Sequence, residues 1–369
     1  MPYPQFDRDK IFVKPLSARK NKVNIERDQV PVTQKPQNSS EHFEKIIEET
    51  VERILKAKEK NAPVMLTIGA HAIKNCMGPT LIKLMEDGWV THLSTNGAGI
   101  IHDWEFAYQG VSSEDVQENV KNGEFGIWEE TGKYINLALI VGAFEGKGYG
   151  ESVGSMIENE GVTIPTKKEI DEIVKSYDDD ETKAAAALDL LFTIKKYNYE
   201  PGWMSIPFPY KQYCVQAAAY RLGIPFTGHP MFGHDIIYTH HVNHGAALGR
   251  TAERDFLTFA NSVQGLDEGV YMSVGSAVMS PMIFEKSLSM SQNIFIQKNK
   301  HIDNHFMVIV DLAKSTWDWQ KNGEPPDTDP AYYLRYLKTF NRMGGIMKYL
   351  SADNRDFLLA LYQTLSARG

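Results

Sequence analysis

From residue 40 onward the apolar positions fall into a clear rhythm. Phe43, Ile46, Ile47, Val51 and Ile54 recur at three- and four-residue spacing behind Ser39-Ser40-Glu41, which predicts an amphipathic helix with a polar cap. A short apolar run follows at 63–69 and ends in Gly69, and a second helical stretch covers 78–87. Comparable apolar runs stand at 89–94, 135–143, 202–208, 269–274 and 306–312, separated by segments of helix length. Runs that are apolar on both faces and alternate with helices predict parallel strands with crossover helices. The expected fold is therefore α/β: a doubly wound, mainly parallel, Rossmann-like sheet. The segment 164–200 reads as helical and polar in its first half, a surface excursion before the next strand.

Residues 1–42 show neither period and mix Pro, Lys, Arg, Gln and Ser with scattered apolar residues. They read as an extended N-terminal arm, with 43–369 as the folded domain. Phe6, Ile11, Phe12 and Val13 would be wasted on a free tail, so part of the arm is expected to lie on a neighbouring subunit or on the core; disorder is the alternative.

Composition narrows the class. With 42% hydrophobic and 23% charged residues over 369 positions, the chain is an ordinary globular protein long enough for one large core. A formal net charge of −8 argues against a general role on nucleic acid. Cys76 and Cys214 are the only cysteines, too few for a disulfide framework or a thiolate zinc site, and point to the cytoplasm. No signal-peptide core and no uninterrupted apolar run of about 18 residues is present, so neither export nor membrane insertion is expected.

In such sheets ligands bind beyond the carboxyl ends of the strands. Four loops qualify. Residues 69–75, with Ala70 and His71, follow a strand directly and can set backbone amides beside a phosphate. Thr95-Asn96-Gly97-Ala98-Gly99 provides small residues that let a backbone approach a pyrophosphate, with His102 and Asp103 after it. Residues 146–154 are glycine-rich without the lysine pattern of a phosphate loop and suit a lid or a turn. The fourth, 228–244, holds five of the eleven histidines, including His229, His234, His240 and His244, together with Asp235. These groups suit acid–base work or polar ligand binding near neutrality, and several of them can equally be satisfied core residues. A metal-dependent hydrolase using His229, His234, Asp235 and His240 is the competing reading, although the glutamate of the known zinc-helix pattern is missing beside His240. Near the end, Trp317, Asp318 and Asp327 bring acids and indoles together, a combination that suits an amine as well as plain packing.

Taken in order, these segments resemble the deoxyhypusine synthase family across most of residues 60–360. Residues 69–75 fall where that family has a dinucleotide loop, and Thr95 to Gly99 with Asp103 is similar to its Thr-Thr-Ala-Gly-Gly segment and later acid. Residues 224–240 resemble the stretch in which Asp235 corresponds to an acid holding the polyamine. Gly275-Ser276 looks like a Gly-Gly-Gly turn near the dinucleotide, Leu312-Ala313 like the strand end on the adenosine side, and Asp353 like the acid of a final Ala-Asp-Ala segment. The resemblance implies an NAD-binding fold and an enzyme that oxidises a polyamine such as spermidine. It further implies transfer of the aminoalkyl group through an imine on a lysine to a protein lysine, by a homotetramer.

Two departures bear on that chemistry. Where the family carries its lysine this chain reads Pro325 to Tyr333 without one, Lys338 coming several residues later, and Pro281 and Met282 replace paired histidines. The reading is thus a deoxyhypusine synthase-like, NAD-dependent transferase acting on an amine or polyamine, with His234, Asp235 and His240 as acid–base groups and Asp235, Trp317, Asp318 and Asp327 toward the substrate. No resident metal is expected. A non-catalytic scaffold that binds NAD is the other alternative.

Overall fold

The computed structural model describes residues 3–368. Its strands in chain order are β1 (Asn21–Asn24), β2 (Val64–Ile68), β3 (His92–Asn96), β4 (Val111–Glu114), β5 (Gly161–Ile164), β6 (Gly202–Ser205), β7 (Phe226–His229), β8 (Val270–Val274), β9 (Phe306–Asp311) and β10 (Ile346–Ser351). Six of them form one sheet in the order β10-β9-β8-β2-β3-β7. β2 pairs in parallel with both β3 and β8, and β9 pairs in parallel with both β8 and β10. The expected α/β class is observed: the chain winds outward from β2 through β3 to β7, returns to β8 on the other side of β2, and continues to β10. That reversal is the order of the doubly wound dinucleotide-binding fold.

The chain divides into two compact units. The sheet unit comprises 28–99, 221–227 and 256–369. Alternation along its strands sends Met65, Tyr271, Met307, Ile309 and Met347 to one face, where they pack with Phe259, Phe284, Leu288, Leu337 and Phe340. Helices Glu41–Glu59 and Asn354–Arg368 pack together beside β2, β8, β9 and β10. Helix Glu41–Glu59 forms as its period predicts, with the Ser40 hydroxyl accepting from the Phe43 amide and Phe43, Ile46, Ile47, Val51 and Ile54 buried.

The second, helical unit comprises the residues up to 27, then 100–220 and 228–255. Its centre is helix Glu129–Glu145, buried along most of its length. Here the structure corrects the expected strand at 135–143. A helix apolar on all sides has no readable period, and a run of buried residues then resembles a buried strand. The expected strand at 202–208 exists as β6 but pairs antiparallel with β5 in a ribbon of its own. The strands β7 and β10 were not anticipated; Gly228 and His229, and Lys348 and Tyr349, interrupt the apolar runs by which strands are recognised.

The N-terminal segment is laid on folded structure. β1 pairs with β4, and the Lys14 amide donates to the Ile127 carbonyl. Its anchors are Leu16, Arg19, Ile25 and Val30, all buried, whereas Phe6 and Phe12 stay more than three-quarters exposed. Arg19 makes two 2.7 Å bonds to the buried carboxylate of Glu105. Among the described residues no helix is long and apolar enough to cross a membrane.

Candidate functional site

The strand ends of the sheet unit gather most of the residues singled out for a nucleotide. Gly69 and Ala70 follow β2, Thr95 and Asn96 end β3 ahead of Gly97 to Gly99, Gly275 and Ser276 follow β8, Leu312 and Ala313 follow β9, and Asp353 stands just past β10. At the reversal point the two central crossovers pass in contact. A Cβ on Gly69 would lie 2.0 Å from the Gly275 carbonyl oxygen, and Gly275 itself has φ +64°. The Gly69 amide donates to the Val274 carbonyl at 3.0 Å. Glycine is required at 69 because the neighbouring strand's backbone occupies the place of a side chain.

The side chains here are largely committed to shaping the loops. The Thr95 hydroxyl donates to the Ile68 carbonyl at 3.0 Å, tying β3 to β2, and the Asn96 side-chain oxygen accepts from the Gly99 amide at 2.9 Å. Ser276 accepts from the Ser280 amide, and Asp353 from the Arg355 amide. His71 and Leu312 are exposed. Helices Gly97–Gln109, Met279–Ile296 and Asn354–Arg368 all start from these ends, so the region is built of backbone amides and helix N-termini. Such a surface suits a polyphosphate better than a cation.

Asp103 does not join that group. It belongs to the helical unit, where its buried carboxylate accepts from the Val215 and Gln216 amides, the Gln216 side chain and the Cys214 thiol. Four donors leave it the anchor of helix Val215–Leu222.

Within the helical unit lies a polar cluster of a different kind. Asp255 is fully buried and accepts from the amides of Gly150 and Gly228 at 2.8 and 2.6 Å; burial pushes its carboxyl up to about 8. A Cβ on Gly148 would lie 1.8 Å from its Oδ1, and one on Gly228 2.2 Å from the ring of Tyr149. The glycines of 146–154 therefore serve close packing around a carboxylate, and the segment opens helix Tyr149–Asn159 where a lid or turn was expected. Tyr149 in turn feels the charge of Asp235 and Asp255, and burial holds its hydroxyl far above the usual range. The Tyr149 hydroxyl, the Tyr238 hydroxyl and Oδ2 of Asp235 are all buried without a hydrogen-bond partner among the described residues. Burial raises the Asp235 carboxyl to about 6.

The remaining predicted groups are dispersed. His240 is buried against Gly132; its Nδ1 accepts from the Val242 amide, so its Nε2 donates to Glu129 at 3.3 Å, and burial depresses the ring to about 4. Both nitrogens are thereby used. His234 is exposed. His244 lies at the start of helix Gly245–Gln264, its Nδ1 accepting from the Ala247 amide at 3.4 Å. No three His, Cys, Asp or Glu side chains among the described residues stand close enough to hold a metal, and His229, His234, Asp235 and His240 do not converge as ligands. Trp317 donates to the Gly323 carbonyl, Asp318 caps the turn at Lys321, and Asp327 is exposed. Lys338 pairs with Glu324 and stands 4.5 Å from the Tyr332 ring centre. Sequence reasoning missed Tyr149, Tyr238 and Asp255; the packing of glycines against Asp255 was legible only as a glycine-rich stretch.

No family model matches the chain, and no curated protein matches its sequence. Solved structures similar to it include unliganded AgrE, at 15% identity and TM-score 0.44 over 90% of this chain and 34% of AgrE. Another is ArgZ, an arginine dihydrolase of the cyanobacterial ornithine–ammonia cycle, at 14% and 0.42 over 90% of this chain and 33% of ArgZ. A third is an LOR/SDH protein from Methanococcus maripaludis S2, at 13% and 0.44 over 91% of this chain and 74% of that one. The chain spans about a third of the length of AgrE and ArgZ.

Proposed function

We propose that the chain is an NAD-dependent enzyme acting on a small amine or polyamine. The observation that carries this reading is the sheet reversal between β2 and β8, where Gly69 and Gly275 bring two backbones together at strand ends rich in helix N-termini. The residues present fit a dinucleotide: Ala70, Gly97, Ala98 and Ser276 offer amides, and the missing side chains of Gly99 and Gly275, whose own amides are already bonded, let a pyrophosphate come close. NAD, when bound, supplies the acceptor for a hydride. A structure of AgrE with ornithine and NAD+ is consistent with the same class of ligands.

The amine is assigned to the helical unit's cluster. An ammonium group satisfies three orphaned acceptors at once, the Asp235 carboxylate and the Tyr149 and Tyr238 hydroxyls. With its carboxyl raised to about 6, Asp235 is poised to take a proton from the nitrogen of a bound ammonium, the deprotonation that amine oxidation requires. The ion pair of Lys338 with Glu324 favours amine oxidation over transfer through a lysine imine, so we keep the deoxyhypusine synthase-like kinship and tetramer as proposals without its lysine step.

Calorimetric titration with NAD, followed by mixing with spermidine or ornithine and watching reduced nicotinamide form, tests the reading. Saturable NAD binding with turnover, lost in Asp235→Asn while NAD affinity is kept, supports it. An absence of NAD binding removes it. Turnover that survives Lys338→Ala supports oxidation alone, and a borohydride-trapped adduct on Lys338 restores the transfer chemistry.

A further inference from the structure

Outside the strand ends, the sheet unit holds a cleft of about 650 Å³ on the flank of the edge strand β10, within the range of about 300–1,000 Å³ usual for ligand pockets. One wall is a single face of helix Glu41–Glu59, contributing His42, Lys45 and Glu49; the others are the 315–321 segment and β10. β10 is separated from β2 by β8 and β9, which at strand spacing is about 14 Å, so the cleft is not the reversal point.

The charges in the cleft do not cancel. Glu49 pairs with Lys348 at 3.1 Å, and Asp318, which accepts from the Lys321 amide at 3.0 Å, is the other acid in the lining, so Lys45, Lys321 and Lys348 outnumber the carboxylates by one. Lys45, the Lys321 ammonium and His42, all lining the cleft, are left without an ion-pair or hydrogen-bond partner among the described residues. The first turn of helix Glu41–Glu59 adds its positive end. Trp319 belongs to the hydrophobic core and forms part of the cleft's inner wall, 3% exposed. Trp317 and Tyr349 supply ring faces, and the Tyr349 hydroxyl is already spent on the Ala313 carbonyl. Unpaired cations beside aromatic walls call for a ligand that brings an anion and a ring.

We propose that this cleft binds a phosphate or carboxylate carried on a planar aromatic ring, with Lys45 and Lys321 on the anion and Trp317 on the ring. The surroundings of Trp317 and Asp318 thus select an anion, where the acids and indoles alone had suggested an amine. The proposal is independent of NAD binding.

The test is titration of the full chain with phenyl phosphate, followed by heat and by tryptophan fluorescence, beside inorganic phosphate and benzoate. Saturable phenyl phosphate binding is expected, weakened about tenfold or more in the Lys45→Ala, Lys321→Ala double variant and by added salt. Trp317→Leu is expected to bring phenyl phosphate down to the affinity of inorganic phosphate. Circular dichroism on the variants confirms that both lysine positions, exposed in the structure, are replaced without loss of fold. No saturable binding of any of the three probes to the unmodified chain, or equal affinity in the double variant, overturns the proposal. So does binding that is competed by NAD and unaffected at Lys45 and Lys321.

Discussion

Two buried titratable residues set opposite slopes on the pH dependence of stability. His92 lies in the sheet with its ring nitrogens bonded to the Ser262 and Thr227 hydroxyls at 2.8 and 3.0 Å, and burial depresses it from 6.5 to about 3. Between those values the unfolded chain binds the proton and the folded one does not, so this contribution is complete above pH 6.5 and is lost as the pH falls toward about 3. Asp255 works the other way. Its carboxyl is raised from 3.8 to about 8, so the folded state holds a proton that the unfolded state releases; its contribution is complete below 3.8 and lost as the pH rises through 8. Denaturant midpoints measured across pH are expected to show Asp255→Asn flattening the decline on the alkaline side, since the amide cannot ionise while its oxygen can still accept from Gly150 and Gly228. An unchanged alkaline limb in the variant would show that another group carries that slope.

At the scale of elements, the N-terminal segment and the buried central helix carry the sharpest expectations. Arg19 fixes the segment to Glu105, which also accepts from Ser112 at 2.6 Å and Thr131 at 3.1 Å. Arg19→Met leaves a buried carboxylate uncompensated and is expected to cost about 3–5 kcal/mol, with Glu105→Gln in the same chain recovering part of it; urea melts of the single and double variants measure both. In helix Glu129–Glu145, a Cβ on Gly142 would lie 1.9 Å from the Ser152 hydroxyl oxygen. Gly142→Ala is therefore expected to destabilise by about 1–3 kcal/mol through overpacking, and Gly142→Ala with Ser152→Gly to regain most of it. A thermal melt in which Gly142→Ala matches the unmodified chain would mean that the helix shifts freely at this point.

On the scale of the whole molecule, the proposed dinucleotide site predicts a linked stability. NAD at a hundredfold excess over its dissociation constant should stabilise the fold by about 2.7 kcal/mol, read as a rise in melting temperature that depends on NAD concentration. Gly69→Ala is expected to lose both this rise and intrinsic stability, because its Cβ cannot coexist with the Gly275 carbonyl. A variant that keeps the full NAD-dependent rise would place the cofactor elsewhere than the β2–β8 reversal.

Much of this architecture is written locally. The period of Phe43 to Ile54 determined helix Glu41–Glu59 and the Ser40 cap fixed its start, because helical hydrogen bonds and a buried stripe are decided within a few turns of chain. The apolar runs of β2, β8 and β9 marked buried parallel strands, and the small residues at 97–99 and at 275–276 marked strand ends where backbones come close. What lay beyond the sequence was every decision made by distant partners. The order β10-β9-β8-β2-β3-β7 depends on pairings between strands up to hundreds of residues apart, which local pattern does not encode. Whether 135–143 was helix or strand turned on its being surrounded on all sides. Asp103 became an anchor because Cys214 and the first turn of helix Val215–Leu222 bring four donors to it, and Asp255 found Gly148, Gly150 and Gly228 from across the chain. Tertiary structure alone decided which polar groups were satisfied, and it left Tyr149, Asp235 and Tyr238 among the described buried groups whose side-chain atoms lack a partner: burial, not residue type, sets the cost of an unmade hydrogen bond.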